Sequence, residues 1–301
     1  MRIATTTMYQ QAIDAINDRQ AQMARSQQEL ATGRRLLRPS DDPGAAAQAE
    51  RLRSQASRLE LAQRMNDFAR GMLGQAESTL AQVGELMQSL REHFLRAGNG
   101  TLGQADRASL AIQMEAGRDE LLRLANRADG SGGHLFGGIG TRVAPFAASA
   151  AWVAVAGEQQ VGLDEGVPTS LDGRALFMSV PSDTGPSSLF ALLDGAIAVL
   201  EDPAASAAQV QSAVGDGLAA IDGGLDRVLE GRTRLGEQLR LLDAREALSE
   251  DAGLAIAERL SALVDTDYAR SASDLARHQA VLQAALKTYA SIGGLSLFDH
   301  L

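Results

Sequence analysis

The chain has 301 residues, 45% of them hydrophobic but only 4% aromatic. Its length allows two average domains, and its long runs of Ala, Leu, Gln, Arg and Glu suit extended helices packed side by side rather than a sandwich or barrel. A net charge of −10 speaks against nucleic acid as the main partner, because a phosphate backbone calls for a basic face, and the absence of cysteine removes disulfides, thiolate metal sites and cysteine nucleophiles.

The N-terminus, Met1-Arg2-Ile3-Ala4-Thr5, opens no apolar h-region, so no cleavable secretory signal is expected. No run of about 18 apolar residues suggests a membrane span. Tyr9, Ile13, Ile16, Gln20, Met23, Gln27 and Leu30 then follow at alternating spacings of four and three. This is a heptad seam diluted by two glutamines. It buries little apolar area and needs a partner helix.

The helical pattern breaks at Thr32-Gly33 and resumes after Pro39-Ser40-Asp41-Asp42-Pro43, where Ser40 or an adjacent Asp can cap and Pro43 fits the first turn. From Ala45 to about Ala97 no proline intervenes, and a single helix there would span about 80 Å. Gly98-Asn99-Gly100 gives a turn, and Gln104 to Ala128 reads as another helix. Between about Ser131 and Pro186, Gly, Pro and Ser cluster around short apolar pieces, among them Trp152-Val153, Gln160-Val161 and Ala175-Leu176-Phe177-Met178. That pattern predicts a small β-rich insertion. Helix is expected again over Leu189–Leu200 and from Ala204 to about Leu263. A last heptad seam, Tyr268, Ala272, Leu275, Gln279, Leu282, Leu286 and Tyr289, ends at Gly293-Gly294.

The expected fold is therefore mainly α: a long antiparallel helical rod from paired N- and C-terminal segments, with a small β-rich domain inserted in the middle. The boundaries read as 1–40 plus 262–301 for a terminal coiled-coil assembly domain, 41–136 plus 187–261 for the helical rod, and 137–186 for the insertion.

Signs of chemistry are weak throughout. The four histidines, His93, His134, His278 and His300, lie far apart and outside any metal-binding spacing. Asp41-Asp42 and Asp265 with Asp267 precede helices, where capping and the helix dipole account for them. The glycines of Gly130–Gly140 lack the Lys-Ser/Thr of a phosphate loop and follow a helix where a dinucleotide site needs a strand. No catalytic, metal or cofactor site is expected, and the chain does not read as an enzyme.

Several stretches together resemble one family. The opening Met1-Arg2-Ile3-Ala4-Thr5 with Met8-Tyr9, the segment Glu29-Leu30-Ala31-Thr32-Gly33-Arg34-Arg35 leading into Pro39-Ser40-Asp41-Asp42-Pro43, and Ala97-Gly98-Asn99-Gly100-Thr101-Leu102 are similar to flagellar hook–filament junction proteins. So are Leu124–Gly130 with Leu135-Phe136-Gly137-Gly138, Asp267-Tyr268-Ala269, and the tail Gly294-Leu295-Ser296-Leu297-Phe298. The resemblance covers both terminal thirds and fades in the middle. His134 departs from it, since the family more often has an aromatic there. Flagellin, a related protein, usually lacks the Met-Arg-Ile opening, the Pro-Ser-Asp-Asp-Pro segment and a Leu-Phe ending.

This resemblance implies a secreted, extracellular structural subunit, exported unfolded by the flagellar type III apparatus. It would form a ring layer of its own copies between the adjacent hook-associated protein and flagellin, guarded before export by a cytoplasmic chaperone. The expected assembly seams are Tyr9, Ile13, Ile16, Met23 and Leu30 at one end, and Tyr268, Leu275, Leu282, Leu286, Tyr289, Leu297, Phe298 and Leu301 at the other. Two alternatives stand beside it: a flagellin filament subunit, and a cytoplasmic coiled-coil signalling protein, against which the inserted module speaks.

Overall fold

The computed structural model describes residues 2–140, 142–162, 166–182 and 185–294. Their helices, in chain order, are α1 (Arg2–Thr32), α2 (Pro43–Ala97), α3 (Gln104–Ala125), α4 (Gly173–Phe177), α5 (Leu189–Glu201), α6 (Ala207–Val264) and α7 (Tyr268–Gly294). Strands β1 (Gln160–Val161) and β2 (Val167–Pro168) pair antiparallel, with Gln160 opposite Pro168. The architecture is thus mainly helical with one small sheet. The chain divides into two compact units, Met1–Leu59 with Glu250–Leu301, and Glu60–Ser249.

Local chemistry sets the helix starts. Asp42 caps α2 by accepting the Ala45 amide at 2.9 Å, with Pro43 as the first helical residue. Ser206 and Gln209 form a reciprocal capping box at α6, their side chains accepting each other's backbone amides at 3.3 and 2.9 Å. Ser188 caps α5 and Asp267 caps α7. Helix α3 ends three residues earlier than its sequence suggests. Asn126 leaves the helix so that its side chain can hold the Phe146 backbone, donating to its carbonyl and accepting from its amide, both at 2.9 Å.

The core lies in the second unit, Glu60–Ser249. Along α2 the residues Leu73, Leu80, Met87 and Phe94 recur every seven positions and are fully buried. Glycine recurs with the same period on α6, at Gly217, Gly224 and Gly231, each facing one of them. A Cβ at Gly217 would collide with the Phe94 ring. One at Gly224 would come within 3.2 Å of Met87 and Leu189, and one at Gly231 within 2.6 Å of Leu176. The missing side chains let α2 and α6 approach closely while large residues fill the gaps. Ion pairs of Arg91 with Asp222 and Arg232 with Glu77 line the exposed flanks and add little. Arg118 of α3 is nearly buried, meets Asp194 of α5 at 2.7 Å, and lies 5.7 Å from the Phe190 ring centroid.

The inserted segment has far less β-structure than its composition suggests. Beyond β1 and β2 its described residues make only isolated bridges, such as Phe146 with Trp152 and Ile139 with Val155. Side chains take over the role of strand partners. Ser170 donates to the Gly138 carbonyl and accepts the Gln159 amide, both at 2.9 Å. Burial pushes the Asp129 carboxyl up, but amides of Gly133 and Ser131 outweigh it and hold its pKa below the ordinary value. Its contribution to stability is complete above the ordinary carboxylate range and disappears as pH falls through the lowered value. Ala175-Leu176-Phe177, read from sequence as a β-type piece, is helix instead, because Asp172 caps it through the amides of Arg174 and Ala175. The interior of the segment is aromatic: Phe146 packs edge-on against Trp152, Phe177 and Phe190 at centroid distances of 5.2, 5.7 and 5.5 Å.

Gly84→Ala, where nothing lies within 4 Å of the added carbon, is expected to raise stability by about 0.5–1 kcal/mol through helix propensity. Gly217→Ala adds the same methyl and is expected to lower stability by about 1–3 kcal/mol through overpacking. Urea midpoints at unchanged slope measure both, and shifts of the same sign would refute the interlock.

Candidate assembly surface

The two chain ends meet in the first unit. Helix α1 stops at Thr32, and Gly33 takes a left-handed φ of 70° with its amide on the Glu29 carbonyl at 2.9 Å. The following residues pair with the turn after α6. The amides of Arg35 and Leu36 donate to the Val264 carbonyl at 2.8 and 3.3 Å, and the Thr266 amide donates to the Gly33 carbonyl at 2.9 Å. The Arg35 guanidinium adds a bond to the Leu263 carbonyl at 2.7 Å. Thr266 is buried here, and its hydroxyl has no hydrogen-bond partner among the described residues. Helix α7 leaves from this clasp as α1 arrives at it, and the two pack against each other antiparallel.

That pair buries little for its length among its described side chains. Of these, Ser26 of α1 is buried and none of α7 is. Ile16, Met23, Leu30, Leu275 and Leu282 are half-buried, while Ile13 is 38% and Leu286 46% exposed. Tyr268 is 58% exposed and stands over Gly33, where a Cβ would meet its hydroxyl oxygen at 2.7 Å. Tyr9 belongs to α1 and Tyr289 to α7, but their side chains are outside the described set; Leu297, Phe298 and Leu301 lie outside the described residues altogether. The structure therefore brings the helices carrying both seams together and leaves their apolar residues partly uncovered. Sequence periodicity marks the seams but misses Ser26, Val281, Arg35 and Thr266. Of these only Val281, an apolar residue one position before Leu282, carries a visible signal.

Among the described residues no group of three or more His, Asp or Glu is placed to hold a metal, and no helix is long and apolar enough to cross a membrane. What the arrangement offers is helix surface.

The class of protein follows from comparison with known sequences. Residues 3–141 match the bacterial flagellin N-terminal helical region. The chain belongs to the family of flagellar hook-associated protein 3: it is 35% identical to the protein of that name from Escherichia coli over 99% of both chains. The counterpart from Salmonella typhimurium is also 35% identical over 99% of both. The fold is shared with the flagellar junction protein FlgL from Legionella pneumophila, at a TM-score of 0.60 and 19% identity, covering 72% of this chain and all of that one. The protein is accordingly a structural component of the flagellum, from a family that is not enzymatic.

Gly33→Ala is expected to open the clasp, since a left-handed residue with a Cβ costs about 1–2 kcal/mol before the collision with Tyr268 is counted. Amide exchange at Arg35, Leu36 and Thr266 should accelerate while the amides of Leu80 and Met87 keep their rates. Unchanged exchange at the first three would show that the turn tolerates a side chain.

Proposed function

We propose that this protein forms the junction layer of the bacterial flagellum, built from copies of itself between the adjacent hook-associated protein and the flagellin filament. Assembly runs through α1 and α7, with Ile13, Ile16, Met23, Leu30, Leu275, Leu282 and Leu286 as the contact residues, joined by Tyr9, Tyr268, Tyr289, Leu297, Phe298 and Leu301. The chain reaches its extracellular site unfolded, through the flagellar type III apparatus, and a cytoplasmic chaperone covers its C-terminal helix beforehand.

One observation carries this reading: α1 and α7 run together, yet apolar side chains at their seams stay up to about half exposed. Two helices with so little covered surface gain too little to offset their ordering entropy, and further helices from neighbouring copies supply the missing contacts. Weak terminal helices also suit a chain that must be threaded before it folds. The full-length likeness to hook-associated protein 3 favours this over a flagellin subunit.

Leu282→Asp combined with Leu286→Asp is expected to leave the Glu60–Ser249 unit folded and to abolish incorporation into flagella. Recovery of the double variant in sheared flagella at wild-type level would end the seam reading. In the free monomer, amides of residues 2–31 and 268–294 are expected to exchange far faster than those of the central helices. Comparable protection in both would contradict ordering on assembly.

A further inference from the structure

The clasp borders a groove of about 460 Å³, lined by Arg34, Leu36, Leu37, Arg38, Pro39 and the first turns of α2. Its lining is mostly apolar, and its charged members are Arg34, Arg38 and the ion-paired Arg53 and Glu50, three basic to one acidic. Neither Arg34 nor Arg38 makes an ion pair among the described residues. The volume falls within the range of pockets that hold a ligand.

We propose that this groove receives the C-terminal segment Leu295–Leu301 of a second copy of the chain, an inference that rests on the assembly reading above. The chemistry fits on both counts. The segment, Leu-Ser-Leu-Phe-Asp-His-Leu, places Leu297 and Phe298 beside the carboxylate of Asp299, an apolar pair with one negative charge for a mostly apolar lining whose charges are mainly basic. The charge of the first unit is polarised in the same sense. Its N-terminal part, Met1–Leu59, holds nine arginines against six acidic residues, whereas Glu250–Leu301 holds four basic and seven acidic.

Chain length excludes the chain's own tail. Leu36 donates to the Val264 carbonyl, so the groove sits where α7 begins. Helix α7 then carries the chain 27 residues away, a rise of about 40 Å. Leu301 follows Gly294 by seven residues, which span at most about 25 Å when fully extended. The return falls short by about 15 Å. A neighbour's tail has no such limit. Because groove and tail are different surfaces, the contact is head-to-tail and leaves each copy with a free groove and a free tail. Such contacts propagate into rings or arrays rather than stopping at a dimer.

The chain has no cysteine, so introduced thiols react without background. Purified full-length Leu37→Cys/Leu297→Cys is oxidised over a hundredfold dilution series, and its products are sized and mapped. The expected result is a ladder of trimers and longer species joining position 37 to position 297. Its yield should fall at least tenfold on dilution, and at least tenfold again with Arg34→Glu and Arg38→Glu added. Ala47→Cys, at an exposed groove position, should replace Leu37→Cys if the latter disturbs folding. A disulfide closed within single chains at every dilution would overturn the neighbour assignment. A ladder no stronger than that of Ile112→Cys/Leu297→Cys would overturn the groove itself. Wild-type incorporation into flagella is scored separately, so losing the cross-link while incorporation persists refutes this contact and leaves the assembly reading standing.

Discussion

Helix α6 can lie against α2 because it lacks side chains where α2 is largest. Phe94, Met87 and Leu80 each face a glycine, and the matched seven-residue periods keep the fit over three successive heptads. Around that seam α3, α4 and α5 add Leu121, Phe177 and Phe190, and the core of the Glu60–Ser249 unit closes. Glycine in a helix normally costs about 1 kcal/mol. Three of them at one period are tolerable only where close approach returns more than that in packing.

The two units divide the work of burial and charge unequally. The Met1–Leu59 and Glu250–Leu301 unit holds 13 basic and 13 acidic residues, while Glu60–Ser249 holds 15 and 25, so the whole net charge of −10 belongs to the latter. The unit with the sealed core thus carries the repulsive charge that keeps protein surfaces soluble. The unit that carries α1 and α7 is neutral, and copies can approach one another there without a net electrostatic penalty.

Much of the helical outline is legible in the sequence. The break at Pro39–Pro43 and the turn at Gly98-Asn99-Gly100 fall where helices begin or end, because cap and turn residues act within a few positions of themselves. The features that were not legible depend on partners distant in sequence. Gly217, Gly224 and Gly231 look like weaknesses of a helix until α2 is placed beside them. Ala175–Phe177 reads from its apolar run as a β-type piece, and the carboxylate of Asp172 makes it helix. The irregular backbone around Phe146 is held by Asn126 and Ser170, whose side chains imitate a strand edge that no alternation of residues announces. At the assembly surface, periodicity marks which residues share a stripe but says nothing of how much of that stripe one partner helix covers.

The clasp has a consequence for the order in which the chain acquires its shape. The bond from Arg35 to the Leu263 carbonyl joins residues 228 positions apart. Closing so long a loop is entropically slow, and contacts of large sequence separation form late. The Glu60–Ser249 unit, nested within that loop, has its own core to nucleate on and can be complete first. Opening runs in reverse: the few hydrogen bonds between Gly33–Leu36 and Leu263–Thr266 can break and re-form while the sealed core stays shut. The chain can thereby be undone at its ends without being unfolded in its middle.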